Sequence, residues 1–297
     1  MSFFNFKNRY FVNAVLVMET PVSVGSRISL IPTGSDLPVV KTPEGIPFIP
    51  GSSLKGVIRA QTERILRTLD MNGKKINGKR LWACDPLNEE DRCIVTQCCE
   101  NCRECNGKDC CDKCDRCKAC MIKRNRDEKG ELNDKKFTEE LFKKSCTACR
   151  LFGSQWLASR IYFKDAILIN YQDLLRIVEV RDGVGIDRDL GSSKPKFKYD
   201  FEVVPAGAKF QINIIAENVE EWEIGLLLLV LKAMERGEIP VGGKVTRGLG
   251  WGKLQDLKVE RITAENLLSY LQGQPAEAVD PEYLINTFIN ALEQGGD

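Results

Sequence analysis

The 297-residue chain has no histidine. That excludes Ser-His-Asp triads, Cys-His nucleophile pairs and imidazole-based ribonuclease chemistry. Acid–base work must fall to carboxylates, lysines, tyrosines, metal-bound water or the substrate itself, and a soft-metal site must be built from thiolates. An excess of one charge is also lacking. Lys+Arg 43 against Asp+Glu 42 leaves a net charge of +1, so any basic surface for a polyanion must be local. The longest aliphatic run, Ile224 to Leu231, is far too short to span a bilayer. The first residues, MSFFNFKNRY, lack the charged-then-apolar order of a signal peptide. These absences predict a soluble, cytoplasmic protein with no membrane partner. The length and 43% hydrophobic content fit a globular chain of one large or two small domains.

Cysteine, by contrast, is abundant. Eleven of the 13 cysteines fall between Cys84 and Cys120, and the other two form Cys146-x2-Cys149. In a reducing compartment this density reads as metal binding and not as a disulfide framework. The run from Cys98 and Cys99 through Cys102, Cys105, Cys110, Cys111, Cys114 and Cys117 to Cys120 holds nine thiols, enough for two S4 sites with one spare. Cys-x2-Cys-x2-Cys spacing also fits an iron–sulfur cluster, but no proline follows Cys105 or Cys120. Structural zinc is the favoured reading. Which four thiolates share an ion stays open.

Outside that segment the pattern is that of an ordinary core. Tyr10 to Thr20 reads as a strand and Pro21 to Pro50 as a long loop. Ser52 or Ser53 can cap a helix whose apolar face is Leu54, Val57, Ile58, Ile65 and Leu69, with Glu63 placed to pair with Arg59 or Arg67. Asn72 to Gly78 ends it. Arg160 to Ile169 reads as a strand, Val180 to Asp200 as an extended loop, and Ala208 to Glu217 as a strand. Glu220 to Gly237 reads as a buried helix, Trp251 to Ile262 as a last strand, and two amphipathic stretches close the chain. The expected fold class is α+β, a ferredoxin-like (RRM-like) β-α-β-β-α-β core. Its first part spans residues 1–80, a cysteine-rich insertion 81–150, the remainder 151–262, and C-terminal helices 263–297.

Two loops carry phosphate-binding chemistry. Pro47-Phe-Ile-Pro-Gly-Ser-Ser-Leu-Lys-Gly56 opens a helix with glycine, serine and a lysine, a ready seat for an anion. It is not a P-loop, because the lysine precedes the glycine. Val241 to Gly252 holds five glycines with Lys244 and Arg247; exposed backbone N–H groups and two cations there make a phosphate-binding surface. Taken in order, the first loop, Cys149-Arg-Leu-Phe-Gly153 and Gly242-Gly-Lys-Val-Thr-Arg-Gly-Leu-Gly250 resemble the RAMP superfamily of CRISPR proteins. The closest likeness is to the repeated backbone subunit of type III effector complexes, in a III-D-like, cysteine-rich form. Gly185-Ile-Asp-Arg-Asp-Leu-Gly191 with Tyr199-Asp-Phe-Glu-Val-Val-Pro-Ala-Gly207 is similar to that subunit's thumb hairpin, residues 180–207 here.

The resemblance implies what the anion is: the backbone of a CRISPR guide RNA. It implies RNA contacts at Gly51, Ser52, Ser53, Lys55, Gly56 and Arg59, at Gly243, Arg247, Gly248 and Gly250, and at Ile186, Asp187 and Arg188 of the thumb. Ser35-Asp-Leu-Pro-Val-Val resembles the segment that carries a target-cleaving aspartate, here Asp36, with Mg²⁺ or Mn²⁺ assisting attack by the target's own 2′-hydroxyl. Relatives also place a zinc ligand pair where Cys146 and Cys149 stand. With no histidine, Cys84 and Cys93 are the nearest thiolates to complete it, and Cys99, Cys102, Cys105, Cys111, Cys114, Cys117 and Cys120 serve further ions, about two to three zinc ions in all. The implied partners are guide RNA, complementary target RNA, other copies or paralogues of the subunit, and other CRISPR effector subunits. A non-catalytic scaffold and an iron–sulfur electron carrier are the alternatives.

Overall fold

The computed structural model of the chain describes residues 5–25, 35–96, 114, 116–186, 188–189 and 193–294. Asp187 and Cys99, Cys102, Cys105 and Cys111 lie outside the described residues. The elements in order are β1 (Asn8–Met18), β2 (Phe48–Ile49), α1 (Gly51–Met71), β3 (Lys75–Ile76), β4 (Lys79–Arg80), α2 (Lys118–Arg124), α3 (Asp134–Lys144) and α4 (Thr147–Phe152). There follow β5 (Ile161–Phe163), β6 (Ala166–Ile167), β7 (Glu179–Ile186), β8 (Ser193–Val203), β9 (Lys209–Glu217), α5 (Glu221–Glu235), β10 (Gly252–Thr263), α6 (Leu267–Leu271), β11 (Glu277–Val279) and α7 (Pro281–Gln294). The fold is mixed α+β, and its sheets are antiparallel.

β1 organises the main sheet. Its sequence alternates so that Tyr10, Val12, Ala14, Leu16 and Met18 are buried on one face, the period of two that a half-covered strand requires. It pairs antiparallel with β10 on one side and β9 on the other, giving the sheet order β11-β10-β1-β9-β5. β9 repeats the alternation with Phe210, Ile212, Ile214 and Ala216 inward. α5 and α1 add buried leucine and isoleucine to the same core, among them Leu226, Leu227, Leu228, Leu54, Ile58 and Leu66. Among the described residues, no helix is long and apolar enough to cross a membrane.

Several expectations need correction. α1 begins at Gly51 with Pro50 in the N-cap position, and neither Ser52 nor Ser53 caps it; Pro50's fixed φ of −55° enters the helix directly. The span from Val180 to Asp200 is not a loop. It is most of a long two-stranded hairpin, β7 with β8, whose large apolar residues Val180, Val184 and Ile186 are exposed. The strand expected over Arg160 to Ile169 divides into β5 and β6, and β6 leaves the main sheet to pair with β2. β11, unforeseen, adds an edge strand against β10. Short elements such as these carry too few residues for a periodic signal.

Arg160, read only as the start of a strand, is among the largest fully buried side chains. Its guanidinium grips Glu223 of α5 through two bonds, at 2.6 and 2.8 Å, and also donates to the Arg150 and Asn218 carbonyls at 2.8 and 2.9 Å. The pair ties β5 to the N-terminus of α5 and to α4. Removing one partner leaves a buried charge uncompensated, which costs about 3–5 kcal/mol. Arg160→Met should therefore lower the unfolding free energy, measured by urea denaturation, by that order, and adding Glu223→Leu should recover part of it. An Arg160→Met variant within about 1 kcal/mol of the parent would show that the pair is dispensable.

Candidate metal centre and nucleic-acid interface

Cys146 lies at the N-cap of α4, where its sulfur accepts the Cys149 N–H at 3.3 Å. A C-x2-C spacing across a helix start thus aims both sulfurs the same way. Cys84, just after β4, and Cys93 complete a buried group of four whose sulfurs all lie within 4.8 Å of one another. Cys84 Sγ stands 3.7 Å from Cys149 Sγ and 3.6 Å from Cys146 Sγ. A Zn–S bond of about 2.3 Å gives tetrahedral S···S edges of about 3.8 Å, so this donor set fits an S4 zinc site. The S–H donors of Cys146 and then Cys149 pull the Cys93 thiol down to about 7. Cys149 is pushed up by its hydrogen bonds to Cys146, Cys84 and Cys93, in which its own S–H is the donor, because one more negative charge among four buried sulfurs has no counter-ion without a metal.

The residues around the sulfurs come from α1. Arg59 Nη2 donates to Cys149 Sγ at 3.6 Å, Nη1 to the Gly153 carbonyl at 3.0 Å, and Nε to Glu63 at 2.8 Å. Glu63 pairs with both candidate arginines. Arg67 Nη2 reaches its other oxygen at 3.4 Å and donates to the Cys84 carbonyl at 2.9 Å. Burial opposes the charge on Arg59, but the Glu63 and Cys149 interactions outweigh it and hold the guanidinium cationic. The helix read as an RNA seat therefore also braces the thiolate centre. Sequence spacing revealed the Arg59–Glu63–Arg67 ladder but not where it pointed.

The remaining cysteines are less complete. Cys117 and Cys120 are buried at the start of α2 and Cys114 is half-buried, but among the described residues only Cys84, Cys93, Cys146 and Cys149 form a cluster that could hold a metal.

At the α1 N-terminus the Gly51 N–H donates to the Asp165 carboxylate at 2.7 Å, an acceptor not foreseen from sequence. Gly51 is packed so closely that a Cβ would lie 2.3 Å from the Phe163 carbonyl oxygen. Gly56 faces open space and Ser52 is exposed one turn before it, while Ser53 is half-buried. Lys55 Nζ reaches Ser159 Oγ at 3.2 Å; burial and then Arg59 lower its pKa.

The glycine-rich loop departs from expectation in one respect. The amides of Gly243, Arg247, Gly248 and Gly250 all donate inside the protein, to Ser23, Lys244, Val245 and Pro21 carbonyls, so they are not exposed donors. Gly250 has φ +84°, and a Cβ there would lie 2.1 Å from the Val241 carbonyl oxygen, so only glycine fits. The charge the loop presents is on side chains. Arg247 Nη1 binds the Tyr199 hydroxyl at 2.6 Å, and Lys244 Nζ sits 4.2 Å from the centre of the Phe201 ring.

Those contacts join three motifs that are far apart in sequence. Leu37, Tyr199, Lys244, Thr246 and Arg247 line a shallow, open hollow of about 530 Å³. Leu37 bridges to Phe201 of β8, laying the Asp36 segment along the hairpin. Asp36 is exposed. Its N–H donates to Asp200 Oδ1 at 2.7 Å, and its Oδ2 accepts the Asp200 N–H at 3.1 Å. Ile186 and Arg188 lie exposed at the far end of the hairpin.

The family model of the RAMP superfamily matches residues 15–253. The chain belongs to the RAMP superfamily, and that membership points to a CRISPR-associated, RNA-binding subunit. No curated relative matches the chain.

Two measurements check the metal centre. Cys84→Ser should lower the metal content by one ion per chain, read by elemental analysis, and lower the melting temperature. Arg59→Leu should weaken metal retention against a chelator about 10–100-fold, the usual loss when a group that orients a ligand is removed. Retention equal to the parent's would show that Arg59 does not support the site.

Proposed function

We propose that this chain is a guide-RNA-binding backbone subunit of a type III CRISPR effector, of the III-D-like cysteine-rich kind, that also cleaves complementary target RNA. One observation carries the reading. In a chain of the RAMP superfamily, the Asp36 segment, the β7–β8 hairpin and the glycine-rich loop meet at one open hollow lined by two cations, Lys244 and Arg247. The sheet order β10-β1-β9-β5 fits a ferredoxin-like core, in which the first strand lies between the last and the third. The exposed apolar residues of the β7–β8 hairpin suit a thumb that wedges between bases. The core parts 1–80 and 151–262, the insertion 81–150 and the C-terminal helices 263–297 form the proposed division. Structural zinc holds the insertion against α1, and the guide and target RNAs, neighbouring copies or paralogues and other effector subunits are the partners.

The guide backbone runs over the open Ser52–Gly56 face of α1, with Lys55 at its side, and on to Lys244 and Arg247. Such contacts to phosphate are independent of sequence, as any spacer requires. Asp36 then faces the target. Its carboxylate takes the proton from the 2′-hydroxyl as that oxygen attacks phosphorus. The bond from phosphorus to the 5′-oxygen breaks, and the leaving oxygen takes a proton from water. The products are a 2′,3′-cyclic phosphate and a 5′-hydroxyl. Asp36 and Asp200 are too few ligands to hold Mg²⁺ or Mn²⁺ alone; such an ion leans on phosphates and water. The scaffold reading is favoured by a specific observation too. Asp36 and Asp200 bond each other's amides reciprocally, which is a way of locking two segments without chemistry.

Lys55→Ala with Arg247→Ala should weaken guide-RNA binding whatever its sequence and reduce the slope of log affinity against log salt by about 1.4, at about 0.7 per single-strand phosphate contact. An unchanged slope sinks the phosphate seat. Asp36→Asn keeps the shape but removes the basic oxygen. It should abolish target cleavage while guide and target binding persist, as should a 2′-deoxy at the scissile nucleotide. Cleavage by Asp36→Asn at the parent rate makes the chain a scaffold.

A further inference from the structure

A second cavity, of about 620 Å³, opens at the other end of β1. β1 spans about 35 Å at the rise of a strand, and the glycine-rich loop abuts its Met18 end through Thr20 and Pro21. Lys7, at the opposite end, lines this second crevice between the β3–β4 hairpin, α3, α4 and the start of α5. The crevice is therefore separate from the proposed RNA path.

Its chemistry is that of an anion site with an aromatic wall. Lys7, Lys79, Lys143 and Arg150 bring four cationic side chains to it, and Trp222 lines it beside them. Three carboxylates are also present; one is matched by Arg160, so the four cations are set against the other two, Glu139 and Glu220, and stay in excess. Glu223 is engaged in both oxygens by Arg160. Glu220 accepts an α5 amide as the first member of a capping box. Glu139 stands one turn before Lys143 on α3. Arg150 lines the crevice with one of its donors unsatisfied. Its Nη2 donates to Thr147 at 3.2 Å and its guanidinium lies 5.6 Å from the Phe142 ring centre, yet its Nε, sealed from solvent, has no hydrogen-bond partner among the described residues. A buried charged donor left without an acceptor costs on the order of 1–3 kcal/mol or more; Nε itself is closed to a ligand, so an anion would be met by the part of Arg150 that lines the crevice.

We propose that this crevice binds a nucleoside 5′-phosphate, free or as the terminal residue of a strand. The phosphate lies among Arg150, Lys79 and Lys143, and the base lies against Trp222. Phosphate alone does not account for the site, because ligand cavities of roughly 300–1,000 Å³ hold whole small molecules, and this one falls inside that range with an indole on its wall. The cations sit on four elements, β1's leading residue, the β3–β4 hairpin, α3 and α4, so only the folded chain assembles them.

The test is calorimetric titration of the full chain, metal-loaded as isolated, with adenosine 5′-monophosphate at low salt. Saturable binding of one nucleotide per chain is expected, with adenosine alone and inorganic phosphate alone each at least tenfold weaker. Lys79→Glu with Lys143→Glu changes two exposed side chains and should weaken the nucleotide at least tenfold, as should Arg150→Gln. If Arg150→Gln does not fold, the lysine variant decides. Lys55→Ala with Arg247→Ala should leave nucleotide affinity unchanged, which separates this site from the guide seat. A 5′-phosphorylated trinucleotide distinguishes the sources: equal affinity assigns the site to free nucleotides, and much tighter binding assigns it to a strand end. No saturable binding, phosphate matching the nucleotide, or parent affinity in the lysine variant overturns the proposal.

Discussion

The structure depends on the two-sided pairing of β1. A strand bonded along both edges cannot slip by one residue without turning Tyr10, Val12, Ala14, Leu16 and Met18 out of the core, so its register is fixed. Two of the proposed sites then lie at opposite ends of that strand. The Met18 end receives the glycine-rich loop and the β7–β8 hairpin, because Val22 bridges to Val204 and Pro21 accepts the Gly250 amide. The Lys7 end receives α5, the β3–β4 hairpin and the cationic crevice.

The thiolate centre and the proposed RNA helix share side chains. Arg59 is committed to Glu63, to the Gly153 carbonyl and to Cys149 sulfur, so its charge is spent inside the protein before any phosphate arrives. Among the described residues, Lys55, one turn earlier, has only the neutral Ser159 hydroxyl as its hydrogen-bond partner. The same face of α1 thus divides its work: the lysine and the open backbone at Gly56 face outward, and the arginines hold a site whose sulfurs need positive charge near them. α1 and the four-sulfur site are joined through two guanidiniums, Arg59 on the Cys149 sulfur and Arg67 on the Cys84 carbonyl.

At the other end, aromatic rings and cations are already paired before ligand binds. Tyr199 holds Arg247, and the Phe201 ring lies under Lys244. These contacts keep long, flexible side chains near one geometry, which would lower the ordering cost of the proposed RNA contact. The internal use of the loop's amides serves the same end. A loop that bonds itself presents its cations from a rigid frame.

The elements with long periodic patterns were legible in the sequence: β1, β9, α1, α5 and β10 fall within a few residues of where alternation and helical spacing put them. The cysteines Cys84, Cys93, Cys146 and Cys149 were candidates through the family resemblance, while which thiolates stand together was left open by their spacing and is decided by the fold. Other features follow from which segments fold against one another, and sequence spacing is blind to that. Asp165 at the α1 N-terminus lies 114 residues from Gly51, Asp200 lies 164 residues from Asp36, and Arg160 lies 63 residues from Glu223. The use of the glycine-loop amides depended on carbonyls at Pro21 and Ser23 that only the folded chain brings near. Residue chemistry and local period settled which atoms could bind metal or phosphate. Tertiary packing decided which of them were already satisfied, since a donor's availability is set by its spatial neighbours and not by its neighbours in the chain.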